Sequence, residues 1–436
     1  MEWEKVKLAE VLEQVKDVVS LERENYYKLV TISNRGEIRL RSLIKGSEIS
    51  SEKGFKCKKG CFIYSRLSVH NGALGIVPDF LEDAIITSEM PIFHVLDNVH
   101  PEYLLYYFKS YHFKIQIEDL TKGVGRVRVK EKDFLNIDIV LPKIEIQNKI
   151  VSELQRLNND IKSIFTEITD QLDLIKNLRQ AFLREAMQGV LVSNETSDGK
   201  TGTDLLAEIQ AEKLQLVKQK KIKKPKPLAP ITDEEIPFDI PENWTWSRLG
   251  NVVNMSRGRF SIRPRNDPRY FNGDYPFIQI GNLDEKGSVI NEYHQTLNEL
   301  GIKASKSFPK ETIVIAIVGG TIGNLGVLGR EMYFPDSIVG FIPNTNYNQK
   351  YLLNFLLLKQ QYLKHQSYQM AGQPNIKIPT LEKLLFPLPP LEIQERILAK
   401  LDELMGYCDA LEEQVKQSQQ TNELLKQQVL REALGA

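Results

Sequence analysis

The sequence predicts an α+β fold: two mixed α/β domains, each an irregular β-sheet with short helices, separated by two long helices that form an antiparallel coiled coil. The first observation is a repeat, in which Leu141–Leu157 returns as Leu388–Leu404 after a shift of 247 residues. The match runs without a gap to Leu183–Gly189 and Leu430–Ala436. The second observation is helical periodicity in both copies, and the third is the series of short apolar stretches before each. A repeat this long indicates a duplicated domain, hence a pseudo-two-fold chain.

Composition is that of an ordinary globular protein. The 436 residues are 42% hydrophobic, enough for about two to four domains. Three cysteines argue against a disulfide framework, and no stretch approaches the roughly 20 apolar residues of a membrane span. The N-terminus has no basic region followed by an apolar one, so we do not expect a signal peptide. We therefore expect a cytoplasmic protein with no membrane segment. Because 57 basic residues balance 57 acidic ones, only local clusters of cations favour nucleic-acid binding.

The repeat and the changes in composition divide the chain into five predicted segments. The first domain occupies residues 1–140 and the first long helix residues 141–190. A connector, made of a short helix and a Pro-rich linker, occupies 191–241. The second domain occupies 242–387 and the second long helix 388–436.

Apolar stretches bounded by turn residues predict the strands within the domains. They are YKLVTI, CFIYSRL, GALGIVP and PIFHVL in the first domain, and YPFIQIGNL, TIVIAIVGG and SIVGFIP in the second. Each domain also has a predicted helix, PEYLLYYFKSYHF and QKYLLNFLLLKQQYLKHQ. In the connector, Thr203–Lys220 predicts an amphipathic helix capped by Thr203 or Asp204, and the Pro-rich remainder predicts an extended linker.

Apolar residues at steps of three and four form a seam along each long helix, close to heptad spacing. Gln419 and Asn422 interrupt the second seam, so this end either pairs weakly, fixes the register or packs against a partner. A larger helical bundle is the alternative to a coiled coil. The seam residues are Ile150, Leu154, Leu157, Ile161, Ile164 and Ile168 in the first helix, and Ile397, Leu401, Leu404, Leu411 and Val415 in the second.

No motif in the sequence indicates catalysis. A phosphate-cradling loop is missing, and the glycine-rich Gly319–Gly326 is better explained as a tight turn between strands. Cys57 and Cys61 have only His70 as a nearby imidazole, whereas zinc usually needs four ligands at recognisable spacing. We therefore expect no metal site. A triad assembled in space from distant residues stays open at this point.

Basic residues cluster in loops, where arginine suits phosphate contacts and bidentate recognition of guanine, and amides suit adenine. The alternative is that each cluster is a solvated loop, which we favour for the linker run Lys220–Lys226. The candidate DNA contacts are Arg35, Arg39, Arg41, Lys58, Arg66, Lys122, Arg126, Arg128 and Lys130 in the first domain, and Arg257, Arg259, Arg263, Arg265, Arg269, Gln373, Asn375 and Lys377 in the second.

Four motifs together resemble the specificity subunit of type I restriction–modification systems. They are the repeated LPx[IL]EIQ before each long helix, AEIQAEKLQLVKQKKIKKPK, EIPFDIPENWTWSRLG and RPRNDPRYFNGDYPFIQIGNL. The resemblance implies two target recognition domains, each reading one half of an asymmetric bipartite DNA target. It also implies that the coiled coil sets the gap between the halves.

The same resemblance implies a non-catalytic subunit that binds double-stranded DNA, two methyltransferase subunits and two restriction subunits. S-adenosylmethionine, ATP and Mg²⁺ are then expected on the partners, with no cofactor in this chain. Two other hypotheses remain: an enzyme with an unrecognised site, and a coiled-coil protein-interaction adaptor without DNA readout.

Overall fold

The protein divides into two compact units that reproduce the repeat. The first unit contains residues 1–170 and 415–436, and the second contains residues 171–414. Each unit therefore combines one globular domain, the first part of the long helix that follows it and the last part of the other long helix. The α+β class and the internal repeat are confirmed. The computed structural model describes residues 3–122, 128–344, 346–369 and 374–433.

The globular domain of the first unit is built on two mixed or antiparallel sheets and a two-stranded ribbon. Their strand orders are β2-β10-β7-β8, β3-β6-β9-β4-β5 and β1-β11. The strands are β1 (Glu4–Lys7), β2 (Leu12–Val15), β3 (Val18–Ser20), β4 (Tyr26–Ile32), β5 (Ile38–Lys45), β6 (Lys53–Lys56), β7 (Phe62–Tyr64), β8 (Leu74–Ile76), β9 (Ile85–Ile86), β10 (Ile92–Val95) and β11 (Asp138–Leu141). The helices are α1 (Pro101–Tyr107), α2 (Tyr111–Thr121), α3 (Glu131–Leu135) and α4 (Ile144–Gln188).

Aromatic packing fills the core of this domain. The rings of Tyr64 and Phe134 stack with centroids 4.2 Å apart, and Phe62 lies against Phe108 at 4.9 Å. The single helix predicted over PEYLLYYFKSYHF is in fact two helices, because Ser110 starts α2 by accepting a hydrogen bond from the Phe113 N–H. Serine is a preferred N-cap, so this residue was the available signal.

The globular domain of the second unit has the same layout of two sheets and a ribbon. Their orders are β13-β21-β18-β19-β15, β16-β14-β20-β17 and β12-β22. The strands are β12 (Thr245–Arg248), β13 (Asn254–Arg257), β14 (Phe271–Phe277), β15 (Val289–Ile290), β16 (Gln295–Leu297), β17 (Ser307–Phe308), β18 (Ile313–Ala316), β19 (Leu325–Leu328), β20 (Met332–Tyr333), β21 (Ile338–Ile342) and β22 (Leu385–Leu388). The helices, with that of the connector, are α5 (Gly202–Lys218), α6 (Leu249–Val252), α7 (Glu299–Ala304), α8 (Gln349–Gln369), α9 (Ile378–Glu382) and α10 (Leu391–Ala433).

The glycine-rich stretch Gly319–Gly326 lies in the connection from β18 to β19, which pair antiparallel, and its last two residues begin β19. Gly319 and Gly323 have positive φ angles of 79° and 86°, a backbone region that side chains rarely adopt. The prediction of a tight turn between strands is therefore confirmed.

The connector is anchored to the second domain at two places, its helix and part of its Pro-rich segment. Its helix α5 begins at Gly202, not at Thr203, because Thr201 and Asp204 form a capping box. The Pro-rich part, expected to be an extended linker, is held by Arg248. This side chain donates to the carbonyls of Ala229 and Pro230 and pairs with the Glu235 carboxylate at 2.7 Å.

The two long helices pack together in the second unit. Arg179 of α4 pairs with Asp409 at 2.7 Å and Glu412 at 2.9 Å on α10. Further along α4, Leu183 and Met187 share one buried cluster with Ile397 and other residues near the start of α10. Residues nearer the end of α4 therefore lie beside residues nearer the start of α10, so the two helices run antiparallel.

Most seam positions are buried or half-buried, but two predictions need correction. Leu411 is 43% exposed, because the packed stripe steps from Cys408 to Glu412, which meets Arg179. Ile150 packs against the core of the first domain, since that domain covers the first turns of α4. In the interrupted part of the second seam, Asn422 is half-buried and Gln419 is exposed. Of the remaining seam residues, Leu154, Ile168, Ile397 and Leu401 are buried, and Leu157, Ile161, Ile164, Leu404 and Val415 are half-buried.

Within the described residues, no helix is both long and apolar enough to span a membrane. The same residues contain no group of three or more His, Cys, Asp or Glu side chains placed to hold a metal ion. Cys57 and Cys61 are both buried, and burial is the main cause that raises the pKa of each thiol. Thiols in such surroundings are poor nucleophiles and metal ligands.

Lys213 joins α5 to the second domain from a buried position. Its ammonium donates to the carbonyls of Gly250 at 2.8 Å and Val253 at 3.1 Å. Burial lowers the pKa of Lys213 to about 8, although the Glu382 charge acts in the opposite direction. The folded chain therefore releases this proton at a lower pH than the unfolded chain does.

We predict that Lys213 makes the second unit more stable as pH rises from about 8 to 10.5. In that interval the unfolded lysine holds its proton and the folded one does not, so the free energy of unfolding rises by at most ~1.4 kcal/mol per pH unit. Lys213→Met should abolish this rise. Urea unfolding at pH 7, 9 and 10, followed by tryptophan fluorescence, measures it, with exposed Lys218→Met as the control. Equal pH dependence in wild type and Lys213→Met would contradict the prediction.

Candidate nucleic-acid interface

In the first unit, the β4–β5 hairpin presents basic side chains. Residues 26–45 contain five basic residues and one acidic residue, so the hairpin is locally cationic in a neutral chain. Arg35 lies in the turn, where its N–H donates to Ser33 Oγ, and Gly36 follows with φ 78°. Arg39 and Arg41 are exposed on β5, the edge strand of its sheet. Arg39 also pairs with Glu37.

Arg66 has a different environment from the hairpin arginines. It pairs with Glu131, and the two side chains are only 23% and 21% exposed. Burial acts to raise the pKa of Glu131, but the hydrogen bond and charge of Arg66, together with hydrogen bonds from the Glu131 backbone and Gln14, outweigh burial, and the pKa lies below its usual range. Gln14 donates to the same carboxylate at 3.3 Å. This arrangement indicates a structural role for Arg66, which its sequence context did not reveal.

The other predicted residues of the first unit lie beside acidic partners or at the end of an element. Lys58 is 3.7 Å from Asp17, and Arg128 donates to Glu89 at 3.0 Å. Lys122, just after α2, pairs with Asp119 at 2.5 Å. Lys130 is exposed immediately before α3. Arg126 lies outside the described residues.

In the second unit, three arginines converge on one aspartate. Arg265 pairs with the Asp336 carboxylate at 2.6 Å, and Arg263 lies 3.9 Å from it. Arg257 donates to the Asp336 backbone carbonyl. Two guanidinium groups thus lie beside the Asp336 carboxylate and a third binds the backbone carbonyl of the same residue, so three cations share one carboxylate and net positive charge remains.

Two further basic residues extend this group. Arg259 donates to the Ser305 carbonyl at 3.1 Å, which fixes its guanidinium next to β17. Lys306 donates to Ser256 Oγ at 2.6 Å. Burial, then the charges of Arg259 and Lys223, lower the pKa of Lys306. We define the basic patch as Arg257, Arg259, Arg263, Arg265 and Lys306.

The basic patch contains one member that the sequence did not reveal, Lys306, and the charge of a lysine outside the patch, Lys223, acts on it. Lys306 is one of a few lysines scattered between serines, and no local pattern indicates its proximity to Arg259. Lys223 belongs to the linker run that we interpreted as solvated, yet its charge acts on Lys306. The run itself, KKIKKPK, was the available signal.

Three other predicted DNA contacts of the second unit do not belong to the basic patch. Arg269 is bound by Asp267, with contacts down to 2.6 Å. Asn375 forms an isolated bridge with Val318, and its Oδ1 atom is buried with no hydrogen-bond partner among the described residues. Lys377 is exposed before α9. Gln373 falls outside the described residues.

Clustered cations of this kind attract phosphate. Each Lys or Arg that neutralises a DNA phosphate releases counterions, and arginine can bind phosphate or guanine through two hydrogen bonds. In the basic patch, mutual repulsion among the cations is relieved when an anion binds. The arrangement is suited to binding a polyanion.

A family model confirms the resemblance drawn from the motifs. The model described as the type I restriction modification DNA specificity domain matches residues 1–174 and 241–419. The two matches include both globular domains and most of both long helices. The pseudo-two-fold repeat is therefore two copies of one family domain.

Curated relatives carry the same description. The type I restriction enzyme EcoAI specificity subunit of Escherichia coli is 27% identical over 381 residues, which are 74% of this chain and 63% of that protein. The EcoEI specificity subunit of the same organism is 25% identical over 420 residues, 83% of this chain and 68% of that protein. The chain thus spans about two thirds of the length of these relatives.

Solved structures share the fold over nearly the whole chain. A chain from a structure of complex assembly and conformational transition in the type I R-M system aligns with TM-score 0.69 and 19% identity, covering 99% of this chain and 97% of that one. The HsdS subunit from Thermoanaerobacter tengcongensis aligns with TM-score 0.54 and 19% identity, covering 99% and 96%.

We predict that Arg66→Met destabilises the first unit without altering which DNA sequence is read. The change leaves the Glu131 carboxylate half-buried without its cation, at a cost of about 1–3 kcal/mol. Urea unfolding of the full chain measures the loss. Arg41→Met, at an exposed hairpin position, is the control and should leave stability within about 0.5 kcal/mol of wild type. A changed target sequence with Arg66→Met would show instead that Arg66 contacts DNA.

We also predict that Arg263→Gln combined with Arg265→Gln weakens binding to duplex DNA of any sequence. Loss of two phosphate contacts should reduce the slope of log affinity against log salt concentration by about two. Fluorescence anisotropy with a non-specific duplex, at several salt concentrations, measures it. Arg269→Gln is the control, because Asp267 already neutralises that guanidinium. An unchanged slope in the double variant would exclude the basic patch from the DNA interface.

Proposed function

Since the chain belongs to the type I restriction–modification DNA specificity family, we propose that it is the DNA sequence-specificity subunit of a type I restriction–modification complex. Each globular domain reads one half of a bipartite target, and the long helices set the gap between the halves. The chain performs no catalysis itself. The observation that carries the proposal is the basic patch, where cations outnumber the neighbouring carboxylate and an anion is required to neutralise them.

The difference between the two domains supports an asymmetric target. The first domain offers a cationic hairpin with Arg35, Arg39 and Arg41, whereas the second offers loop arginines around Asp336. The hairpin and the loop differ in backbone form and in the spacing of their side chains. Base edges in the major groove are distinguished by such spacing, so the two domains should read different sequences.

The family also guides the proposal for partners and cofactors. We assign two methyltransferase subunits and two restriction subunits as partners, together with double-stranded DNA. S-adenosylmethionine, ATP and Mg²⁺ belong to those partners in this proposal, and the complex acts in the cytoplasm.

Mapping methylated adenines in a host genome tests this function directly. We expect a strain that carries the chain with its methyltransferase partner to methylate one asymmetric bipartite sequence, and a strain lacking only this chain to lose that methylation. Methylation of that sequence in the strain lacking the chain would contradict the proposed function. Combined substitution of the basic patch arginines should abolish the pattern, because phosphate contacts supply much of the affinity.

Two further results discriminate between the hypotheses. Assembly of the methyltransferase complex with normal methylation after loss of the basic patch arginines would favour a protein-interaction adaptor. Methylation or cleavage of DNA by the purified chain alone, given S-adenosylmethionine or Mg²⁺ and ATP, would favour an enzyme.

A further inference from the structure

We infer that Gln147 and Gln394 are positioning residues that hold each recognition domain at one angle on its long helix, and that they thereby restrict the complex to one gap length. The inference rests on the proposed function. It concerns the glutamine of the repeated LPx[IL]EIQ motif, which is not one of the seam residues. Both side chains are fully buried, with 0% exposure.

Gln147 connects two backbone segments in the first unit through three hydrogen bonds. Its Oε1 accepts a hydrogen bond from the His100 N–H at 2.8 Å. Its Nε2 donates to the Pro142 carbonyl at 2.8 Å and the Asn98 carbonyl at 3.2 Å. His100 is the N-cap residue of α1, and Pro142 lies just before α4. One side chain therefore ties the start of a domain helix to the start of the long helix.

Gln394 makes the corresponding connection in the second unit. Its Oε1 accepts from the Asn348 N–H at 2.9 Å, and its Nε2 donates to the Pro389 carbonyl at 2.9 Å. Asn348 caps α8 through its Oδ1, which accepts from the Lys350 N–H at 2.9 Å. In both units the glutamine thus holds the residue that caps the domain helix.

In each unit a second contact, at matching positions of the repeat, also joins the long helix to the domain helix. In the first unit Gln155 of α4 donates to the Glu102 carboxylate of α1. In the second unit Lys350 of α8 pairs with Asp402 of α10 at 2.6 Å. Asp402 is the repeat partner of Gln155, at the same 247-residue shift. The side chains differ at this outer contact, whereas the buried glutamine is the same in both copies.

Glutamine is suited to this position because one uncharged side chain supplies both an acceptor and two donors. A carboxylate would repel the proline carbonyl, and an apolar side chain would leave a buried N–H and a buried carbonyl without partners. Because both the oxygen and the nitrogen of the amide are hydrogen-bonded, the side chain restrains the rotation of the domain relative to the long helix as well as the distance between them. The domain therefore has one preferred direction on its helix.

The consequence for the complex is selectivity for the gap. If each domain is held at one angle, only one separation of the half-sites places both domains on their bases. We call the hydrogen-bonded side chains of Gln147 and Gln394 the glutamine clasps. Without these clasps each domain can tilt on its long helix, so gaps of neighbouring length also allow both domains to bind. The half-site sequences should not change, because the hairpin and basic patch residues that we assign to DNA lie on other elements.

The test uses the full complex with its methyltransferase partner. Gln147→Met, Gln394→Met and the double variant keep side-chain volume and remove the hydrogen bonds. The substrates are duplexes with both half-sites at the native gap, one base pair shorter and one base pair longer. We expect the ratio of methylation at altered gaps to that at the native gap to rise about five- to tenfold for each variant, from the loss of one to two net hydrogen bonds.

Exposed glutamines on the same helices provide matched controls. Gln171→Met on α4 and Gln420→Met on α10 should leave the gap ratio at the wild-type value. Thermal unfolding of each complex is measured in parallel, because a purely structural role lowers stability without changing the ratio. If the double variant does not fold, the two single variants decide the question.

The outcomes separate this inference from the proposed function. Wild type without a preferred bipartite target refutes both. Wild type with one preferred gap, and clasp variants that keep that gap while losing stability, refutes only the inference. Relaxed gap selectivity with unchanged half-site sequences supports it.

Discussion

The buried glutamine clasps are the constraint on which the arrangement of each unit depends. A long helix that follows a domain through a short proline segment could leave it in many directions. In both units one direction is selected, because Gln147 or Gln394 accepts a hydrogen bond from the N–H of the helix-capping residue and donates one to the preceding proline carbonyl. A buried amide that satisfies several backbone groups is costly to break, because water cannot replace the lost partners.

The connector is also held by buried polar side chains that each bind several backbone groups. Arg248 holds the Pro-rich segment through two of its backbone carbonyls and Glu235, and it also donates to the Lys383 carbonyl of the domain. Lys213 attaches α5 to the domain through two more carbonyls. Each cation compensates for its burial with several oxygen atoms. A connector rich in lysine and proline is thereby ordered along the second domain, although its composition is typical of a free linker.

The sequence predicted the features that are encoded locally and missed those that depend on distant partners. The internal repeat was sufficient to predict the duplicated domains, and the helical spacing of apolar residues was sufficient to predict the long helices. The seam was wrong at Leu411, because the stripe adjusts by one residue where Arg179 meets Glu412, a pair 233 positions apart. Arg66 and Arg41 look alike in sequence, and only the fold places Glu131 beside Arg66. The basic patch could be predicted in part, because its arginines are close in sequence, whereas Lys306 joins them through tertiary structure.

The two copies of the repeat have kept the positions that attach each domain to its long helix, whereas the surfaces that we assign to DNA have diverged. At the clasp the residue is identical, and at the outer contact the position is kept while an amide–carboxylate pair in one unit becomes an ion pair in the other. At the surfaces that we assign to DNA, neither the positions nor the elements correspond. A side chain that satisfies fixed backbone groups has few replacements, since its partners cannot change identity. A side chain that faces a base pair can be replaced whenever the target changes. This difference in freedom explains how one duplicated framework can carry two unlike recognition surfaces.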